Sequence, residues 1–225
     1  MGLSDLVQQL KQIIDPKVII NWGGYPALMA VIFAETGLLV GFFLPGDSLL
    51  VTAGVFVQAD LLNPGKLAPF VNLLALNAVL ILCAIVGDAV GFAFGRKAGP
   101  ALFSREQSRF FRKDYLVSTQ AFYERHGGKT IVLARFMPFA RTFAPIVAGI
   151  GQMPYRRFVM WNVLGAVAWV TSMTFLGYFL GKIFDAKQIE RVVVLIIFIS
   201  VSPLLIGWIK MKRDQRKAKK LASAG

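Results

Sequence analysis

Residues 130–153 read TIVLARFMPFARTFAPIVAGIGQM, an apolar stretch that carries Arg135 and Arg141 and is interrupted by Pro138, Pro145, Gly149 and Gly151. Its hydropathy suits a bilayer, but its charges and prolines do not suit a plain spanning helix. Ionisable groups at bilayer depth cost roughly 2.5–3.5 kcal/mol each on insertion scales, so they face a cavity or a partner and have a task there. A second stretch, residues 26–57, reads PALMAVIFAETGLLVGFFLPGDSLLVTAGVFV and carries Glu35 and Asp47 around a break at Pro45 and Gly46. Two acids in one segment and two arginines in the other predict a buried, charge-matched site.

The rest of the chain sets the class. Hydrophobic residues make up 56% of the 225 and charged residues 16%, far more apolar than a soluble domain of this size. Residues 70–94, 158–181 and 192–209 are apolar runs long enough to cross a hydrocarbon core of about 30 Å as helices. The expected fold is therefore an all-α polytopic membrane protein, a single membrane domain over residues 1–225. The N-terminus lacks a signal-peptide layout. Leu3, Leu6, Val7, Leu10, Ile13 and Ile14 instead fall on one face of an amphipathic helix, read as lying in the interface or packed on protein.

Net charge is +13, unevenly placed. Residues 96–129 hold eight basic residues against three acids, and the tail at 210–225 holds seven against Asp214. These clusters flank apolar spans, so the positive-inside rule explains them better than nucleic-acid binding does. Both segments are placed in the cytoplasm, which makes the C-terminus cytoplasmic. Contact of the tail with anionic lipid is a secondary expectation. Residues 130–153 then begin and end on the cytoplasmic side and are expected to enter the membrane and return. As one straight helix, residues 26–57 would run about 48 Å, too long for one crossing and short for two. A second re-entrant hairpin is expected there, with one crossing plus a half-helix as the alternative.

An internal repeat follows. Amphipathic helix, hairpin and crossing fall at 1–22, 26–57 and 70–94, and again, inverted, at 104–125, 130–153 and 158–181. The repeats are thus 1–94 and 104–181, with 192–209 as an added transmembrane helix. Inverted repeats with broken helices meeting near the midplane are a transporter design.

Several chemistries are not expected. Cys83 and His126 are the only residues of their types, so no disulfide, transition-metal cluster or cofactor is expected. The Gly-Asp-Ser-Leu run at 46–49 mimics a soluble esterase motif, but no histidine base accompanies Ser48, which is read as capping the broken backbone. No phosphate-binding loop of the ATPase type is present. The chain is not expected to be an enzyme.

The runs FLPGDSLL (43–50), ETGL (35–38), GDAVGFAFGR (87–96) and FYERHGGKTIVLARFMPFARTFAPIVAG (122–149) are followed by Asn162, Gly165 and Trp169 in an N-x-x-G-x-x-x-W pattern. With them the chain resembles the DedA family of bacterial inner-membrane proteins, which carry the VTT, or SNARE-associated, domain. That resemblance implies lipid transport across the cytoplasmic membrane, with undecaprenyl phosphate or a phospholipid as cargo and dependence on the proton motive force. It also implies functional weight on Glu35, Asp47, Arg135 and Arg141.

From their chemistry, Arg135 and Arg141 are candidates to bind a lipid phosphate head group through forked bonds; the bland alternative is that they only neutralise Glu35 and Asp47. The two acids are candidate counter-ions and proton carriers. Asp88 is a weaker candidate, expected to pair with Arg96 or to serve helix packing. Trp161, Trp169, Tyr178 and Trp208 are read as belt or packing residues. The expected function is a flippase for an anionic polyprenyl phosphate or phospholipid. A proton-coupled exporter of small solutes or cations and a non-transporting scaffold are the rivals. The expected partners are the membrane and a lipid head group, with a second copy of the chain kept as a candidate and nucleic acid excluded.

Overall fold

The computed structural model describes residues 16–38, 46–103, 128–137 and 140–183. The described residues are all-helical: α1 (Pro16–Gly37), α2 (Gly46–Gln58), α3 (Pro69–Phe103), α4 (Lys129–Arg135), α5 (Ala140–Ile150) and α6 (Tyr155–Ile183). Three of them, α1, α3 and α6, are long and apolar enough to cross a membrane, so this is a membrane protein with three candidate spans. Residues 1–15 of the first amphipathic segment, the second one at 104–125, the helix expected at 192–209, the basic tail, His126, Pro45 and Pro138 lie outside the described residues.

Residues 26–57 divide into the end of α1 and the whole of α2, and residues 130–153 divide into α4 and α5. Pro145, expected to break its hairpin, sits inside α5 instead. A proline removes the amide that would bond four residues back; in α5 that residue is Arg141, so the carbonyl in the first turn is the one released. The expected boundary near residues 22–26 is a kink rather than a gap. Gly24 takes φ 52 and ψ −134, a left-handed backbone that favours glycine, and the helix resumes through Pro26. The helix α3 has 35 residues and continues past the expected end at residue 94. Arg96 and Lys97 are exposed, so charge ends the apolar face there without ending the helix.

Helix directions follow from side-chain pairings. Asn77 of α3 exchanges hydrogen bonds with Thr174 of α6 (2.9 and 3.1 Å), and Asn162 of α6 donates to the carbonyl of Ile85 (3.0 Å). Numbering rises on one helix as it falls on the other, so α3 and α6 are antiparallel. The fully buried Ala84 and Ala166 lie between these pairings on their helices.

Of the short helices, α2 packs on α6 and α5 packs on α3. In α2, Gly54 meets α6 so closely that an added Cβ would stand 2.1 Å from the carbonyl oxygen of Thr174; one on Gly177 would stand 2.0 Å from that of Val51. In α5, a Cβ on Gly149 would stand 2.1 Å from the oxygen of Phe92, and one on Gly95 would stand 2.1 Å from that of Ile146. Such small-residue contacts let backbones approach where lipid supplies no hydrophobic drive between helices. Outside this core, Leu82, Val86, Phe94, Leu164 and Phe179 are exposed apolar side chains, as a surface in hydrocarbon requires.

Candidate functional site

Both helix breaks open onto one buried charge cluster. Arg141 lies in the first turn of α5 and Glu35 in the last turn of α1. A cation at a helix N-terminus and an anion at a C-terminus each oppose the helix dipole. The two offset one another: the guanidinium Nη2 of Arg141 pairs with Oε1 of Glu35, and its Nη1 donates to Oδ1 of Asp47 at 2.6 Å. Asp47 occupies the first turn of α2, where a carboxylate is favoured. The amide of Gly46 donates to Glu35 Oε1 at 3.3 Å. A Cβ on Gly46 would stand 1.5 Å from Glu35 Oε2, so only glycine seats that carboxylate.

Arg135, in the last turn of α4, has a separate set of partners. Its Nη2 pairs with Oδ2 of Asp88 on α3 and donates to Oδ1 of Asn162 on α6 at 2.5 Å. Asn162 is fixed in turn by its bond to Ile85. A Cβ on Gly165 would stand 2.9 Å from Arg135 Cδ, so this glycine makes room for the arginine stem. Trp169 stands between the two pairs. Its ring centroid is 5.2 Å from the Arg141 guanidinium carbon and 6.0 Å from that of Arg135, and its Nε1 donates to Asp47 Oδ1 at 2.8 Å.

The cluster brings Glu35, Asp47, Arg141, Asp88 and Arg135 together around one indole. Glu35, Asp88, Arg135 and Arg141 are buried, while Asp47 keeps 20% exposure and is the cluster's contact with the outside. With every group ionised, three carboxylates face two guanidiniums. Breaking a buried pair of this kind strands a charge and typically costs about 3–5 kcal/mol.

Two expectations need correction. Asp88 pairs with Arg135, not with Arg96. Eight residues of helix separate Asp88 from Arg96 by roughly 12 Å, and Arg96 is exposed, with its backbone carbonyl accepting from Gln152 at 3.5 Å. Ser48 caps nothing, because its buried hydroxyl has no hydrogen-bond partner. Trp169, read as a belt or packing residue, is a polar contact of the site. Asn162, Gly165 and Trp169 are spaced three and four apart, so they share one face of α6, and that spacing was the available signal.

One further pattern was not visible in the sequence. Among the described residues, the buried side-chain polar atoms without a hydrogen-bond partner are Glu35 Oε2, Ser48 Oγ, Arg135 Nε, Arg141 Nε and Thr142 Oγ1. Each belongs to a helix turn that borders one of the two breaks. Buried polar groups are otherwise nearly always paired.

Comparison with known proteins identifies the family. The VTT domain model matches residues 44–179. Protein DedA of Escherichia coli K12 is 45% identical over 87% of each chain. An uncharacterized membrane protein of Mycobacterium leprae is 37% identical over 96% of this chain and 97% of its own. The inner membrane protein YghB of Salmonella typhimurium is 30% identical over 81% of this chain and 80% of its own. No solved structure matches. The chain therefore belongs to the DedA family of VTT-domain membrane proteins.

Proposed function

We propose that the protein is a secondary transporter that moves an anionic lipid, with undecaprenyl phosphate as the favoured cargo, across the cytoplasmic membrane. Its C-terminus faces the cytoplasm. Arg141 and Arg135 receive the phosphate, while Glu35 and Asp47 hold Arg141 when no lipid is bound. The observation that carries this reading is Arg141 itself, a buried guanidinium held by two carboxylates, one of which keeps 20% exposure. A phosphate offers the same forked acceptor geometry as those carboxylates and can replace them.

The molecule is read as an inverted repeat, α1–α3 against α4–α6, with α4/α5 as a hairpin that dips into the membrane and α1 as a crossing followed by the half-helix α2. The helix α2 leans on α6 and α5 leans on α3, so movement of one half is felt at both breaks. The lipid part of the reading draws on an uncharged groove of about 570 Å³ between α1 and α3, lined by Met29, Ala30 and Phe33 on one side and Leu82, Cys83 and Val86 on the other. Both helices are membrane-span candidates, so a hydrocarbon chain is the natural occupant of a groove there.

The test is reconstitution in liposomes with labelled undecaprenyl phosphate and a readout of which leaflet the label occupies. Wild type should move the lipid, and Arg141→Ala, Arg135→Ala, Glu35→Gln and Asp47→Asn should each be impaired. Equal movement by all five proteins would sink the assignment. The excess of carboxylates over guanidiniums favours one second reading, a proton-coupled exporter of small cations. In that case binding would depend on Glu35 and Asp47 and survive loss of either arginine.

A further inference from the structure

Ser48 and Thr142 stand at matching places. Ser48 is the third residue of α2, directly after Asp47, and Thr142 is the third residue of α5, directly after Arg141. Both are buried to 1% of full exposure, and neither hydroxyl has a hydrogen-bond partner. The register of α5 on α3 locates Thr142. Pro145 and Ile146 lie against Gly91, and Gly149 lies against Phe92 and Arg96. One turn earlier, Thr142 falls at the level of Asp88 along α3.

A hydroxyl in the first turn of a helix normally bonds a nearby backbone group. Leaving one unpaired in a dry interior is unfavourable, and removing it in favour of an apolar side chain of similar shape is neutral or stabilising. The fold therefore has no structural use for either group as it stands. The Nε atoms of Arg135 and Arg141 lack partners at the same two breaks. The first-turn amides of α2 and α5, helices of 13 and 11 residues, add the donor-rich ends that favour anions.

We infer that Ser48 and Thr142 are head-group ligands: each hydroxyl donates to an oxygen of a bound phosphate, one from each half of the molecule, while the arginines supply the charge. This rests on the phosphate reading above and extends it to two uncharged residues. Paired hydroxyls from both halves also give the site two attachment points that part when the halves move, a geometry suited to handing over a tetrahedral oxyanion.

The experiment uses the full chain with Ser48→Ala, Thr142→Val, the double variant, Thr142→Ser and Arg141→Lys. Thermal unfolding is measured in detergent. Binding is measured with two probes, inorganic phosphate and undecaprenyl phosphate, and translocation is measured in liposomes. The expected result is that Ser48→Ala and Thr142→Val unfold at or above the wild-type temperature while lipid binding and translocation each fall about tenfold, the worth of one hydrogen bond to a charged group. Thr142→Ser should keep most of the activity. Weakened binding of both probes identifies the phosphate group as what is held; weakened binding of the lipid alone identifies the esterified head group. Unaltered binding and translocation in the double variant would overturn the inference, as would a fall in activity that merely tracks a fall in stability. If Arg141→Lys lowers binding while the hydroxyl variants do not, this inference alone fails. If Arg141→Ala, measured alongside, also leaves binding intact, the phosphate reading fails with it.

Discussion

The indole of Trp169 donates to the same carboxylate oxygen of Asp47 that accepts from Arg141. One acceptor thus serves two donors from two different helices, and the least buried member of the cluster is held from both sides. Trp169→Phe keeps the ring against the guanidiniums but removes the donor. It should lower lipid movement about tenfold, since bonds to charged groups contribute roughly 1.5–3 kcal/mol. Trp169→Ala also empties a fully buried site and should cost about 3–5 kcal/mol of stability. Liposome assays and thermal unfolding in detergent separate the two effects. A Trp169→Phe protein with wild-type transport would show that the hydrogen bond is incidental.

Asp88 and Arg96 are predicted to behave differently. Asp88→Asn leaves Arg135 with Asn162 and another amide but no counter-charge, so stability should drop by about 3–5 kcal/mol. Arg96→Ala touches an exposed side chain and should stay within about 0.5 kcal/mol of wild type. The double variant Asp88→Asn, Arg135→Gln removes both charges and should recover part of the loss. Denaturation of the four proteins side by side is the check, and equal sensitivity at positions 88 and 96 would contradict the pairing.

Glycine positions give an internal contrast within one helix. A Cβ on Gly95 would stand 2.1 Å from the Ile146 oxygen, whereas one on Gly91 would stand 3.5 Å from Ile146 Cγ1, an ordinary contact. Gly95→Ala should therefore push α5 off α3 and destabilise the protein, while Gly91→Ala should be tolerated or slightly stabilising through helix propensity, by up to about 1 kcal/mol. Gly46→Ala should abolish transport by displacing the Glu35 carboxylate. Expression level and melting temperature report the first pair, and lipid movement reports the third.

Arg141→Lys replaces a fork by a point charge. Lysine cannot hold Glu35 and Asp47 at the two ends of one planar group, so transport should fall about tenfold or more even though the charge is kept. An Arg141→Lys protein that carries lipid as well as wild type would show that charge alone suffices.

Much of this was legible in the sequence, for identifiable reasons. Membrane class follows from hydropathy, which acts locally, whereas Pro145 did not end its helix because its missing amide falls where the first-turn carbonyl of Arg141 is released. The link between Arg141 and Glu35 with Asp47 was legible because opposite charges in apolar segments have few other places to go. The partner of Arg135 was not legible. Asp88 sits in an otherwise apolar span with a basic residue of its own at 96, and only the tertiary placement of the Arg135 side chain against α3 and α6 decides between them. The reach of Trp169 to Asp47 was hidden because an indole satisfies packing and hydrogen bonding alike, and sequence spacing does not separate the two. The hydroxyls of Ser48 and Thr142 were also hidden, since lack of a partner is a property of surroundings and not of residue type.

The close approaches at Gly54 and Gly177, and at Gly95 and Gly149, have a consequence for how the molecule can be divided. The helix α2 takes its closest backbone contacts from α6 and α5 takes its from α3, so α1–α3 and α4–α6 each leave a close-packed face uncovered when taken alone. Severing the backbone between them should leave a single two-piece particle, because each piece carries the surface that the other's short helix packs on.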